Sequence, residues 1–137
     1  WYAAPMPAPL LVVDAANVVG SVPDGWWRDR HGATVRLRDS LVAVASRGLE
    51  APDAPEPLRG AVEIVLVVEG AARAVAAVPG VRVVSASGSG DDAIVAVVGE
   101  NAADRPCFVA TADRELSTRV RRLGAVVIGP RTVRPRS

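Results

Sequence analysis

Leu10-Leu11-Val12-Val13-Asp14-Ala15-Ala16-Asn17 sets the frame for the chain. Four branched apolar residues end abruptly in a carboxylate, and an amide follows three positions later. A short apolar run bounded by turn residues predicts a strand buried on both faces, here about Leu10–Val13. A carboxylate at the end of such a strand is costly unless something pairs with it. In open parallel sheets the carboxyl ends of the strands are also where ligands bind. The rest of the sequence can therefore be read for what converges on Asp14.

Working outward, Val62–Val68, Val81–Val84, Phe108–Ala110 and Ala125–Ile128 predict four further strands. Glu63 is placed near the open end of the second. A helix is expected from near Trp27 to Arg47, where Leu37, Leu41 and Val44 recur at helical spacing and Gly48 is the stop. Gly70–Val78 is alanine-rich and predicts a short helix. Ala93–Val98 could be a strand by composition, but parallel neighbours need a crossover, which decides for a helix. Arg114–Leu123 carries a stripe of Leu116, Val120 and Leu123, with Arg119, Arg121 and Arg122 where cations suit the helix dipole, and Gly124 as its stop. Residues 49–60 are proline-rich and predict a surface loop. Strands alternating with helices predict a three-layer α/β domain around a mostly parallel five-stranded sheet. It spans residues 10–130, between an extended N-terminal arm (1–9) and a loose basic tail (131–137).

Composition narrows the partners. A net charge of +1 over 137 residues gives no strong global field. All 16 basic residues are Arg, which reflects either codon bias or recognition of phosphate by guanidinium groups. Cys107 is the only cysteine, so a disulfide framework and a thiolate zinc site are excluded, and it reads as a small buried hydrophobe. No run approaches the length of a transmembrane helix, and no membrane contact is expected. The start, Trp1-Tyr2-Ala3-Ala4-Pro5, lacks the regions of a signal peptide and an initiator Met. A trimmed chain in a reducing cytoplasm is the expectation.

Carboxylates recur at the strand exits. Asp14 follows strand one, Asp91 and Asp92 follow strand three and open a helix, and Asp113 follows strand four and opens another. Gathered at one edge, these groups repel one another, and burial raises their pKa values. A hard divalent cation removes the conflict, and oxygen ligands suit Mg²⁺ or Mn²⁺. Asn17 can add a neutral carbonyl ligand or orient a water. Taken singly, Asp91, Asp92 and Asp113 are explained as well by helix capping. Asp14 is not, because no helix is expected directly after it.

The elements Asp14-x-x-Asn17, Gly90-Asp91-Asp92-Ala93-Ile94 and Thr111-Ala112-Asp113-Arg114-Glu115-Leu116, in that order, resemble the NYN group of PIN-like ribonucleases. The likeness is to small bacterial NYN proteins of the YacP type and spans about residues 10–130. It implies strand order 3-2-1-4-5 and a metal-dependent endoribonuclease that leaves 5′-phosphate and 3′-hydroxyl ends. It also implies Asp14, Asp91, Asp92 and Asp113 as catalytic, metal-binding acids, with Asn17 as their polar companion. Several relatives carry another acid where this chain has Ser117. Glu115 can replace it only if turned inward; otherwise a second metal is in doubt.

RNA is the expected substrate, and a second copy of the chain is an open partner. Trp26 and Trp27 could stack bases, with Arg28 and Arg30 on phosphates. The plain alternative is that one Trp caps the core and the arginines are solvated. Arg114 and the loop around Ser89 are weaker phosphate contacts, and Ser87-Gly88-Ser89-Gly90 matches neither a P-loop nor a dinucleotide fingerprint. The leading rival is a catalytically degenerate PIN-like module that binds RNA or protein. A haloacid-dehalogenase-like phosphatase needs a second Asp where Ala16 stands. A nucleotide pyrophosphohydrolase needs Glu-rich helices, which are missing.

Overall fold

The computed structural model describes residues 7–134. Residues 1–6 of the expected arm and 135–137 of the expected tail lie outside it. Five strands form one sheet: β1 (Leu10–Asp14), β2 (Glu63–Val68), β3 (Val81–Ser85), β4 (Cys107–Ala110) and β5 (Val126–Ile128). All neighbours are parallel and the order is β3-β2-β1-β4-β5. β1 is therefore central, and all five of its residues are buried. Such a strand must be apolar on both faces, which is why Leu10–Val13 lacks alternation.

Side-chain parity divides the core into two layers. Leu11 and Val13 of β1, Ile64, Leu66 and Val68 of β2, and Phe108 and Ala110 of β4 face one cluster. α1 (Ala15–Val19), α2 (Arg30–Arg47) and α5 (Pro130–Val133) contribute Val18, Leu37, Leu41 and Val133 to it. Leu10, Val12, Val65, Val67 and Val109 face the opposite cluster. α3 (Gly90–Asn101) and α4 (Arg114–Arg122) close that side with Ile94, Val98, Leu116 and Val120. Strand residues alternate faces, so the residue after each strand inherits a predictable side.

Several expectations are corrected. α1 begins directly after Asp14, so that residue is a helix cap as well as a strand end. The helix expected from Trp27 starts at Arg30, after a separate turn of 3₁₀-helix over Trp26–Arg28; Asp29 caps it through the Gly32 amide at 2.9 Å. Gly48 ends it at φ +83°, a left-handed backbone that favours glycine. Gly70–Val78 forms only a 3₁₀ turn over Gly70–Ala72. Glu63 opens β2 at the amino edge of the sheet, away from the acids. The expected loose tail is docked through residue 134: Pro130, Thr132 and Val133 are buried, and Thr132 donates to Asp53 at 2.9 Å. No helix among the described residues is long and apolar enough to cross a membrane.

Candidate active site

β1 carries Asp14 to the carboxyl edge of the central strand, on the α3/α4 side by parity with Leu10 and Val12. The residue is only 9 % exposed. Thr111, the first residue beyond β4, donates its hydroxyl to Asp14 Oδ2 at 2.9 Å. The Asn17 amide approaches Oδ1 at 3.4 Å. Burial pushes the Asp14 carboxyl above its ordinary pKa, the two hydrogen bonds pull it back, and the charges of Asp91 and Glu69 push it up again.

The Thr111 oxygen also accepts the Asp113 amide at 3.1 Å, so one hydroxyl ties both acidic segments together. Asp113 caps α4 by accepting the Leu116 amide at 3.0 Å. Asp91 lies in the first turn of α3. Burial raises its pKa most; Asp113, Glu69 and Glu115 raise it further, and Arg119 opposes them. Asp14 thus feels Asp91 and Glu69, and Asp91 feels Asp113 and Glu69, although the four come from separate segments.

Two expected members are placed otherwise. The Asp92 side chain is 77 % exposed and pairs with Arg119 at 3.0 Å. Successive residues of a helix point about 100° apart, so Asp91 and Asp92 cannot both turn to Asp14. The Asn17 side-chain oxygen accepts the Ala112 amide at 2.8 Å. It fastens α1 to the segment after β4 instead of presenting a carbonyl ligand. Ser117 is buried and donates to the Asp113 carbonyl oxygen at 2.7 Å. Glu115 is exposed, and only its charge reaches Asp91.

Glu69 is the member that sequence reasoning missed. It follows Val68 at the carboxyl end of β2 and accepts a hydrogen bond from the Gly90 amide at the start of α3. A Cβ at Gly90 would lie 2.8 Å from Glu69 Oε2, so the acid's approach depends on glycine at that position. The available signal was the one used for Asp14: an apolar run ending abruptly in a carboxylate. Among the described residues, no group of three or more His, Cys, Asp or Glu side chains is placed to hold a metal ion. The acids share a field; they do not form a ready coordination shell.

The proposed substrate contacts separate into two groups. Trp26 packs against the core, whereas Trp27 is 53 % exposed; their rings meet edge to face at 6.0 Å. Arg30 lies 5.4 Å from the Trp26 ring centroid, and Arg28 lies 5.8 Å from that of Trp27. Trp26 and Arg30 line a cleft of about 420 Å³ together with Ala15, Ala16, Glu69 and Arg73. Trp27, Arg28, Ser89 and Arg114 lie outside its lining and are exposed. A larger hollow of about 580 Å³, between α2, residues 48–53 and α5, contains none of the acids at issue.

No protein-family profile and no curated protein matches the chain. Solved structures do. Rae1 (YacP) from Bacillus subtilis, crystallised in a mutant form, aligns with a TM-score of 0.65 over 91 % of this chain and 72 % of its own, at 18 % identity. The fold is PIN-like, of the YacP type. At that identity the likeness speaks for the architecture alone, a sheet whose central strand ends here at Asp14.

Proposed function

We propose that the chain is a metal-dependent endoribonuclease that hydrolyses RNA phosphodiester bonds at the carboxyl edge of its sheet. The observation that carries this is the gathering of Asp14, Asp91, Asp113 and Glu69 at the carboxyl edge of the sheet, tied together by Thr111 and by the Gly90 amide. Asp14 and Asp91 are each raised in pKa by burial, and each is raised further by neighbouring acids. A site that concentrates carboxylates against their own repulsion is suited to a hard cation. The donor set fits Mg²⁺ or Mn²⁺ in chemistry. Asp14, Asp91 and Asp113, with Glu69, would hold the ion once their side chains turn toward it, since each carboxylate has more lone pairs than the bonds described above use. When bound, the ion supplies Lewis-acid polarisation of the phosphate and an acidified water.

The chain's own residues set the geometry. Thr111 orients Asp14 through Oδ2 and holds the Asp113 backbone. Asn17 keeps the Ala112 segment against α1. Water adds to phosphorus as the P–O3′ bond breaks, and the proton leaves with the 3′-hydroxyl. A mechanism built on paired histidines is not supported, because His31 is the only histidine and is exposed.

One observation favours a second reading, a binding module without cleavage. No three acids are placed to share an ion, and Ser117 turns to backbone where an acid is expected. The deciding experiment incubates labelled single-stranded RNA with the protein in Mn²⁺ or Mg²⁺, then with EDTA, and repeats both with Asp14→Asn. The nuclease is expected to lose cleavage in EDTA and to lose it at least 100-fold in the variant, beyond the ~10–100-fold typical of disturbing a ligand's support. RNA binding persists in the variant. Binding without metal-dependent cleavage in the parent protein overturns the nuclease.

A further inference from the structure

We infer that the cleft between Trp26, Arg30, Arg73 and Glu69 is a binding site for one unpaired nucleotide whose base carries an amino group. This rests on the nuclease reading for its role in catalysis, but not for its binding chemistry. The cleft joins the acidic edge directly. Ala15 and Ala16 in its wall follow Asp14 in sequence, and Glu69 belongs to both. About 420 Å³ lies in the lower part of the range of small-molecule sites, ~300–1,000 Å³, which suits a nucleotide and excludes a duplex.

The wall offers three kinds of contact that meet in a nucleotide. Trp26 presents an indole held in place by the core and by Trp27, so stacking on it orders no loose side chain. Arg30 lies over that ring and Arg73 stands in the same wall, which places two cations where the phosphate of a stacked nucleotide would run. A base is as flat as a guanidinium and can share the ring with Arg30 or shift it toward phosphate. Glu69 supplies the edge. Its Oε2 is engaged by the Gly90 amide, while Oε1 keeps acceptor capacity. A carboxylate accepts from the amino group of cytosine, adenine or guanine and meets only ring carbonyls and the N3 proton on uracil. CMP and UMP are equal in size, so comparing them isolates this contact.

The test is binding of 5′-CMP and 5′-UMP to the full chain without metal, followed by tryptophan fluorescence. CMP is expected to bind at least fivefold more tightly than UMP. Trp26→Ala should weaken CMP about tenfold, as loss of one stacked base does, while Trp27→Ala changes it less than twofold. Because Trp26 also packs on the core, Ala16→Leu gives an independent check: Ala16 is exposed, and a larger side chain there fills the cleft and should remove CMP binding with the fold intact. Glu69→Gln, which offers an amide donor as well as an acceptor, should level or reverse the CMP preference. Equal binding of CMP and UMP, or CMP binding that survives Ala16→Leu, overturns the proposal. The readout is binding without metal, so a failed pocket and a failed nuclease are told apart.

Discussion

The two edges of the sheet treat charge in opposite ways. At the amino edge, Glu63 at the start of β2 meets Arg105 at 2.6 Å, and Arg105 Nε also donates to the Ala8 carbonyl at 2.8 Å. Acid and base neutralise each other and fasten the incoming chain. At the carboxyl edge, Asp14, Glu69, Asp91 and Asp113 gather with Arg119 as partial cationic relief for Asp91, and that arginine is shared with Asp92. Their hydrogen-bond partners are neutral: a threonine hydroxyl and backbone amides. One edge is built closed. The other keeps an uncompensated charge that a ligand can relieve.

Breaking the neutral scaffold at the carboxyl edge gives the largest effect. Thr111→Val removes the donor to Asp14 and the acceptor of the Asp113 amide while nearly preserving shape. Cleavage of single-stranded RNA in saturating Mn²⁺ should fall ~10–100-fold. Denaturant melts should show a loss of about 1–3 kcal/mol. Unchanged activity would mean that Thr111 only fills space.

The charge at that edge can be read through pH. A folded acid with a raised pKa adds stability below its ordinary value, 3.8 for Asp14, and that stability is lost as pH rises through the raised value. Metal-free Asp14→Asn should therefore melt higher than the parent at pH 7, by ~2–4 °C, and the gap should close below pH 3.8. A gap independent of pH would show that the difference is packing.

The amino edge should respond in stability alone. Arg105→Met is expected to cost about 1 kcal/mol or less, because the Glu63 side chain is half exposed and screened, and to leave cleavage unchanged. The smallest effect is expected from Asp92→Asn. Its ion pair with Arg119 is solvated, so cleavage should change less than about twofold. A large loss there would return Asp92 to the site and redraw the contrast between the edges.

The apolar runs made the sheet legible, because a strand buried on both faces has no choice of composition. The order of strand exits likewise made the placement of Asp14, Asp91 and Asp113 at one edge legible. Parity along β1, β2 and β4 carries the same information for Asp14, Glu69 and Thr111, all on the α3/α4 side. Thr111 was quoted within a motif but given no role, since its importance lies in two hydrogen bonds across 97 residues and two residues. A doublet in sequence is a divergent pair on a helix, which is why Asp92 turns to Arg119 and Asp91 to the acids. The 3₁₀ turn at Gly70 and the docked α5 were hidden for another reason. Alanine propensity in the first case, and arginine content in the second, were overridden by tertiary packing.

The meeting of Glu69 with Gly90 leaves the chain open to silent loss of function. A methyl at position 90 would displace only the tip of a flexible side chain, so the scaffold could absorb the change cheaply. The carboxylate would nevertheless be driven from its seat. On the proposed nuclease reading, one small substitution would therefore retire the chemistry while sparing the architecture.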